Sequence, residues 1–295
     1  MSRIEQALEK AIKMRESAKG VVSEEITMPQ YRAAPPRFEV SDAVIDLAAV
    51  DKHIVTLTDP YSYAAEQYRK LRARILKSTR KDFHNTIMVT SSDVGEGKSL
   101  TSINLAVALS NEIDHTVLLV DADVRNPSLH SYFGLEARRG LSDYLKGEVN
   151  ISDVLVKTGI GKLVILPGGN PTDGSAELLS SERMKMLVRE MKLRYKERYI
   201  IFDTSPLLIT ADALSLASYM DGILFVVQEG RTAQKKVVQS VSLMRGCNIL
   251  GVVFNNVPQC TSENPYPYYY RYNGQKEQTK ASSGNGGAGE NDPKM

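Results

Sequence analysis

Six short apolar runs set the strongest limit on what this chain can fold into. They are TIMVTSS (86–92), TVLLVDAD (116–123), LVILPGG (163–169), YIIFDTS (199–205), GILFVVQEG (222–230) and NILGVVFNN (248–256). Each is rich in β-branched residues and too short for a typical helix. None alternates apolar with polar, so each reads as a strand buried on both faces. Helical patterns lie between most of them, at 98–111, 176–195, 211–219 and 232–245. Alternation of this kind predicts an α/β fold, a mostly parallel sheet with helices on both faces. No repeat period is visible. The longest apolar runs fall far short of the roughly 18 residues a membrane span needs.

The ends have a different texture. Ile4, Ala7, Leu8, Ala11 and Ile12 recur at helical spacing, which predicts an amphipathic helix within 1–18. Residues 19–53, with Pro29 and APPRF at 34–38, read as a linker, so the folded domain is expected over 54–258. The tail, 259–295, opens on NPYPYYYRYNG (264–274) and ends polar and Gly-rich, a composition expected to stay disordered. A net charge of +2 gives no global pull toward nucleic acid or membrane. The two cysteines form no framework, and the charged N-terminus has no apolar stretch of the signal-peptide kind, so a cytoplasmic location is expected.

The first strand runs into TSSDVGEGKSL (90–100), a Gly-rich turn that opens a helix. Such a turn leaves backbone N–H groups free for phosphate, and the helix dipole favours the anion. Lys98 can reach the β- and γ-phosphates and the Ser99 hydroxyl can sit on Mg²⁺. Gly95, Glu96, Gly97, Lys98, Ser99 and Leu100 are the candidate nucleotide-binding residues of this P-loop. The loop departs from the usual pattern at Ser92, where a glycine is common. Asp121 and Asp123 end one apolar run and Asp203 ends another. Ligands of open α/β sheets bind at the carboxyl ends of strands, so these carboxylates are placed at the same edge as the loop.

The combination of SSDVGEGKS, VLLVDADVRNPSLH and IIFDTSP with a C-terminal tyrosine cluster resembles the bacterial tyrosine kinases of exopolysaccharide and capsule synthesis. That resemblance, from about residue 54 to 272, implies a P-loop fold, ATP and Mg²⁺ as cofactors, and protein-tyrosine kinase activity. It implies catalytic roles for Lys98, Asp121, Asp123 and Asp203, with Asp121 accepting the tyrosine proton. The metal would be held through Ser99, Asp121 and Asp203. Asn255 matches an adenine-contacting position in related ATPases. The resemblance also makes Tyr266, Tyr268, Tyr269, Tyr270 and Tyr272 the substrate, phosphorylated in trans between subunits.

EQYRKLR (66–72) matches the family's oligomerisation motif through Glu66, Arg69 and Arg72, which implies a homo-oligomer, a ring in this family. A membrane-bound activator that sets polysaccharide chain length and a tyrosine phosphatase are the implied partners, with recruitment to the inner face of the membrane. The seven basic side chains of residues 66–81 also fit a solvated face or a nucleic-acid contact, although no nucleic acid is expected. Val94, DTSP at 203–206 and Gln228 depart from the common family pattern without removing a catalytic group. One alternative is a partition or septum-site type of ATPase, which would carry a lysine where this chain has Asp93. A nucleotide-gated scaffold is the other.

Overall fold

The computed structural model describes residues 41–258, apart from 43–44, 82, 137 and 196. The amphipathic segment 1–18 and the tyrosine cluster lie outside the described residues. Eight strands form one sheet: β1 (Ser41–Asp42), β2 (Thr86–Ser91), β3 (Thr116–Asp121), β4 (Val156–Lys157), β5 (Leu163–Leu166), β6 (Arg198–Asp203), β7 (Gly222–Gln228) and β8 (Ile249–Asn255). Their order is β1-β4-β5-β3-β6-β2-β7-β8. All neighbours are parallel except β4 and β5.

The missing polar alternation has a direct cause. In the central strands successive residues enter opposite cores. β8, read as buried on both faces, is instead the last strand of the sheet. It has no fully buried residue, and Val252 and Phe254 are exposed, because no further strand or helix among the described residues covers it. Leu118, Ile200 and Phe225 pack with Leu187 and Leu216 on one face. Leu119, Ile201 and Val226 pack with Ile103, Val107 and Ile75 on the other. Helices Glu182–Arg194 and Asp212–Ala217 cover the first face; Lys98–Ser110 and Tyr63–Thr79 cover the second. Lys98–Ser110 is buried on nearly every side, including its polar residues. Asn104 explains one of these: its amide donates to the His53 and Leu100 carbonyls, while its Oδ1 accepts from both the backbone and the hydroxyl of Thr56.

Two boundaries differ from the sequence reading. Residues 41–53, read as linker, carry β1 and the core side chains Ile45 and Val50. The helix expected over 176–195 is two helices, Ser175–Ser180 and Glu182–Arg194. Ser181 between them is extended, and its hydroxyl accepts from the Met184 amide, a capping bond that starts the second helix afresh.

From β2 the chain moves outward to β3 and β5, returns to β6, then crosses to β7 and β8 on the other side of β2. The strand order reverses beside β2, which is where a crevice opens at the carboxyl edge. The register there is specific: Asp121 lies directly beside Asp203, and Asp203 beside Val89. No helix among the described residues is long and apolar enough to cross a membrane.

Candidate active site

The phosphate loop, residues 92–97, is braced from within and from outside. Glu96 is buried, and its Oε2 accepts from the amides of Ser92 (2.8 Å) and Asp93 (3.1 Å). Its Oε1 accepts from the Thr232 hydroxyl at 2.6 Å. Glu96 therefore shapes the loop, and only its backbone faces a ligand. Arg231 donates to the Gly95 carbonyl (3.2 Å), Ser240 bonds Ser92 through their hydroxyls (2.9 Å), and Lys236 pairs with Asp93. That pairing, above all, holds the Asp93 carboxyl below its ordinary range.

Gly97 has φ +90° and opens helix Lys98–Ser110. A Cβ there would lie 2.0 Å from Asn255 Nδ2, so only glycine fits. Asn255 donates that same amide to the Glu96 carbonyl at 3.0 Å. Its Oδ1 is then the polar atom left for a base. The amides of Gly95, Glu96 and Gly97 and those of the first helical turn, including Ser99 and Leu100, are left to take phosphate oxygens.

Arg231, Thr232, Lys236 and Ser240 are absent from the sequence reading. A signal existed: GRT follows β7 at the same sheet edge that pointed to Asp121 and Asp203.

Across the crevice the carboxylates gather. Asp121 and Asp203 are fully buried and Asp123 nearly so. Lys98 Nζ lies 3.1 Å from Asp123 Oδ2 and 3.3 Å from Ser99 Oγ. Asp121 Oδ2 accepts from the amides of Ser128 and Leu129, both at 2.9 Å, and Oδ1 from Asp123 at 3.3 Å. Asp203 Oδ1 accepts from Ser102 Oγ at 3.0 Å; its Oδ2 is buried and accepts no aligned hydrogen bond, the Ser99 hydroxyl being near enough only to favour the charge. The site thus brings Lys98, Ser99, Asp121, Asp123 and Asp203 together.

The electrostatics follow from that crowding. Burial first, then the charge of Asp203, pushes Asp121 up to about 7, against the pull of the Leu129 and Ser128 amides. Burial also raises Asp203, opposed by Lys98, Ser99 and Ser102. Burial alone would depress Lys98, but Asp203, Asp123 and Asp121 outweigh it and hold the ammonium above its ordinary value. A buried carboxylate oxygen without an aligned donor is unfavourable and calls for a cation. No three His, Cys, Asp or Glu side chains among the described residues form a metal cage of their own. A hard divalent ion here would need a hydroxyl, water and ligand phosphate oxygens, the donor set Mg²⁺ prefers.

The helix Tyr63–Thr79 presents Glu66, Arg69 and Arg72 differently from expectation. Glu66 and Arg69 pair with each other, and Arg69 also donates to the Pro60 carbonyl. Arg72 turns inward: its Nε lies 2.9 Å from Glu112, a charge contact without an aligned hydrogen bond, and Nη1 donates to the Ala108 carbonyl. It ties this helix to the end of Lys98–Ser110. Ala65 and Ile75, with Leu71 half-buried, form the apolar face; Ala64 is exposed.

Residues 84–245 match the family model described as an AAA domain. The chain is 33% identical over 222 residues to Tyrosine-protein kinase YwqD of Bacillus subtilis (strain 168), covering 75% of this chain and 92% of that one. Its fold is similar to the chimerical protein CapA2B2, with TM-score 0.66 and 26% identity over 75% of this chain and 94% of that one. It is also similar to the kinase domain of Escherichia coli tyrosine kinase ETK, with TM-score 0.64 and 28% identity over 72% and 84% of the two chains. Sequence, fold and the arrangement at the sheet edge agree, and the chain belongs to the bacterial tyrosine-protein kinases.

Proposed function

We propose that this chain transfers the γ-phosphoryl group of ATP to tyrosines of its own tail, Tyr266, Tyr268, Tyr269, Tyr270 and Tyr272, between subunits of a homo-oligomer. The observation that carries this reading is the in-register pair Asp121 and Asp203, buried beside Lys98 with one oxygen of Asp203 lacking an aligned donor. In transfer, the phenol oxygen bonds to the γ-phosphorus, the bond to the β–γ bridging oxygen breaks, and ADP leaves. The phenolic proton, with an ordinary pKa of about 10, goes to Asp121. Asp121 suits that task because its raised pKa puts it close to working pH.

Lys98 leaves Asp123 to neutralise charge on the phosphates, and the loop amides orient them. Ser99, Asp203 and Asp121 would hold Mg²⁺, which supplies charge neutralisation when bound. Asn255 Oδ1, fixed by the bond from Nδ2 to Glu96, would accept from the exocyclic amine of adenine. Glu66 and Arg69 would face a neighbouring subunit, while Arg72 anchors the helix that carries them. The setting we propose is exopolysaccharide synthesis, with a membrane-bound activator that brings the chain to the inner face of the membrane and a phosphatase that resets it.

The test is incubation of the purified protein with Mg·ATP and blotting for phosphotyrosine, alongside Lys98→Met and a variant with all five tail tyrosines changed to Phe. Label in the parent alone supports the reading. Label in Lys98→Met by itself, or none in the parent even with an activator segment added, refutes it.

A further inference from the structure

Arg125 lies two residues beyond Asp123 and has no role in the reaction as described. Its guanidinium is fixed on one side. Nη2 donates to Ser175 Oγ at 2.9 Å and to the Asp173 carbonyl at 3.3 Å, and Nε lies 3.8 Å from Asp212 Oδ2. Asp212 is fully buried, and neither of its oxygens accepts a hydrogen bond from any described group. A buried carboxylate in that state is held by its cation. Asp212 therefore fixes where the Arg125 charge sits, while 43% of the arginine side chain remains exposed.

Its place along the sheet edge gives the charge a direction. Asn255 and Arg231, after β8 and β7, grip the phosphate loop from one flank. The carboxylates at the ends of β3 and β6 stand on the other. Arg125 lies beyond them, joined to the segment that follows β5 through Asp173 and Ser175. Arg125 therefore stands on the β5 side of the carboxylates, opposite the flank that grips the loop.

The chain's own candidate acceptor carries five tyrosines within residues 266–272 and starts neutral. From Thr261 to Met295 it holds Arg271, Lys276, Lys280 and Lys294 against Glu263, Glu277, Glu290 and Asp292. Each phosphate adds a charge of about −1.5 to −2. The buried carboxylates repel that charge, and Arg125 offers it a half-exposed cation beside them.

Resting on the kinase reading above, we infer that Arg125 is a specificity residue. It binds the phosphate of a phosphotyrosine neighbouring the acceptor, so a singly phosphorylated tail is preferred over an unmodified one for the next transfer.

The test separates binding from transfer. Fluorescent peptides copying residues 261–275, unmodified or phosphorylated at Tyr272 alone, are titrated into the full chain whose own tail tyrosines are Phe, with a non-hydrolysable Mg·ATP analogue, and followed by anisotropy. The same peptides are then assayed for phosphoryl transfer. The phosphopeptide should bind roughly tenfold more tightly than the unmodified one, the scale of a charge-assisted pair. Arg125→Ala should bring that ratio toward one, and Arg125→Lys should recover part of it. If Arg125→Ala does not fold, the Arg125→Gln, Asp212→Asn double variant replaces it, since it leaves no uncompensated buried charge.

Equal affinities in the parent, or a ratio unchanged by the substitutions, overturn the inference. Transfer to the unmodified peptide with no discrimination leaves the kinase reading standing and removes this one. Discrimination in binding that depends on Arg125, with no transfer to either peptide, leaves the phosphate contact standing and removes the kinase reading together with the preference in transfer.

Discussion

The two walls of the crevice are built on opposite physical terms. On the β7 and β8 side the groups that hold the loop are satisfied, although Gln228 Oε1 at the end of β7 is buried without a donor: Glu96 accepts three hydrogen bonds, and Asn255 and Arg231 each donate to a loop carbonyl. On the β3 and β6 side, three buried carboxylates share one ammonium and Asp203 keeps an oxygen without an aligned donor. The first wall has its shape before any ligand arrives. The second stores unfavourable charge that a Mg²⁺-bound triphosphate would relieve. Shape and affinity should therefore respond to the first, and chemistry and pH to the second.

The largest effect should come from the charged wall. Lys98→Met removes the cation that pairs with Asp123 beside Asp121 and Asp203, and tyrosine phosphorylation should fall by about 10³-fold or more, the scale of losing a phosphate-stabilising cation. A rate assay with the parent's tail as substrate checks it. A loss under tenfold would mean that Lys98 does not serve the transfer.

Gly97→Ala strikes the shaped wall. The positive φ strains any Cβ, and one would displace the Asn255 amide, 2.0 Å away, from the Glu96 carbonyl it holds. The strain is on the order of 1–3 kcal/mol, and nucleotide affinity by calorimetry should drop by at least tenfold. Unchanged affinity would show that the loop adapts and that the contrast between the walls is false.

Asp121 sharpens the comparison through pH. Its folded pKa is raised to about 7, above the roughly 3.9 of the unfolded chain. Between those values the native state holds a proton that the unfolded state has released. This group's contribution to stability therefore declines as pH rises from about 4 to 7 and is level above that. Asp121→Asn removes the penalty, so its Tm advantage over the parent should be small near pH 4.5 and greatest at pH 8. If Asp121 takes the tyrosine proton as proposed, kcat/KM of the parent should also fall as pH drops below about 7.

The smallest effect is Thr232→Val, which leaves Glu96 Oε1 without its donor at a cost of about 1–3 kcal/mol. Thermal unfolding would show it, with a lesser change in nucleotide affinity.

The wall that stores charge was legible in the sequence, and the wall that is satisfied was not. Asp121, Asp203 and Lys98 announce themselves because a lone aspartate after a strand often only caps a helix, whereas several carboxylates at one sheet edge beside a Gly-rich loop with a lysine point to a nucleotide site. The sheet was legible because runs apolar on both faces have few homes other than a covered parallel strand, which holds for the central strands but not for β8, where Val252 and Phe254 are exposed. Glu96 looked like one more ligand-facing loop residue. Its inward turn depends on Thr232, which is 136 residues away in sequence. The inward turn of Arg72 was hidden for the same reason, since its partners Ala108, in helix Lys98–Ser110, and Glu112, just beyond it, are distant in sequence. Ser181 hid inside a helical pattern because SSERMK caps one helix while appearing to continue another.

The most direct test of the central claim mixes two inactive chains. Lys98→Met keeps the tyrosines and lacks the cation; the Phe-tail variant keeps the site and lacks the acceptors. With Mg·ATP, the account predicts phosphotyrosine on the Lys98→Met chain in the mixture and on neither chain alone. An unlabelled mixture, under conditions where the parent labels itself, would contradict transfer between subunits.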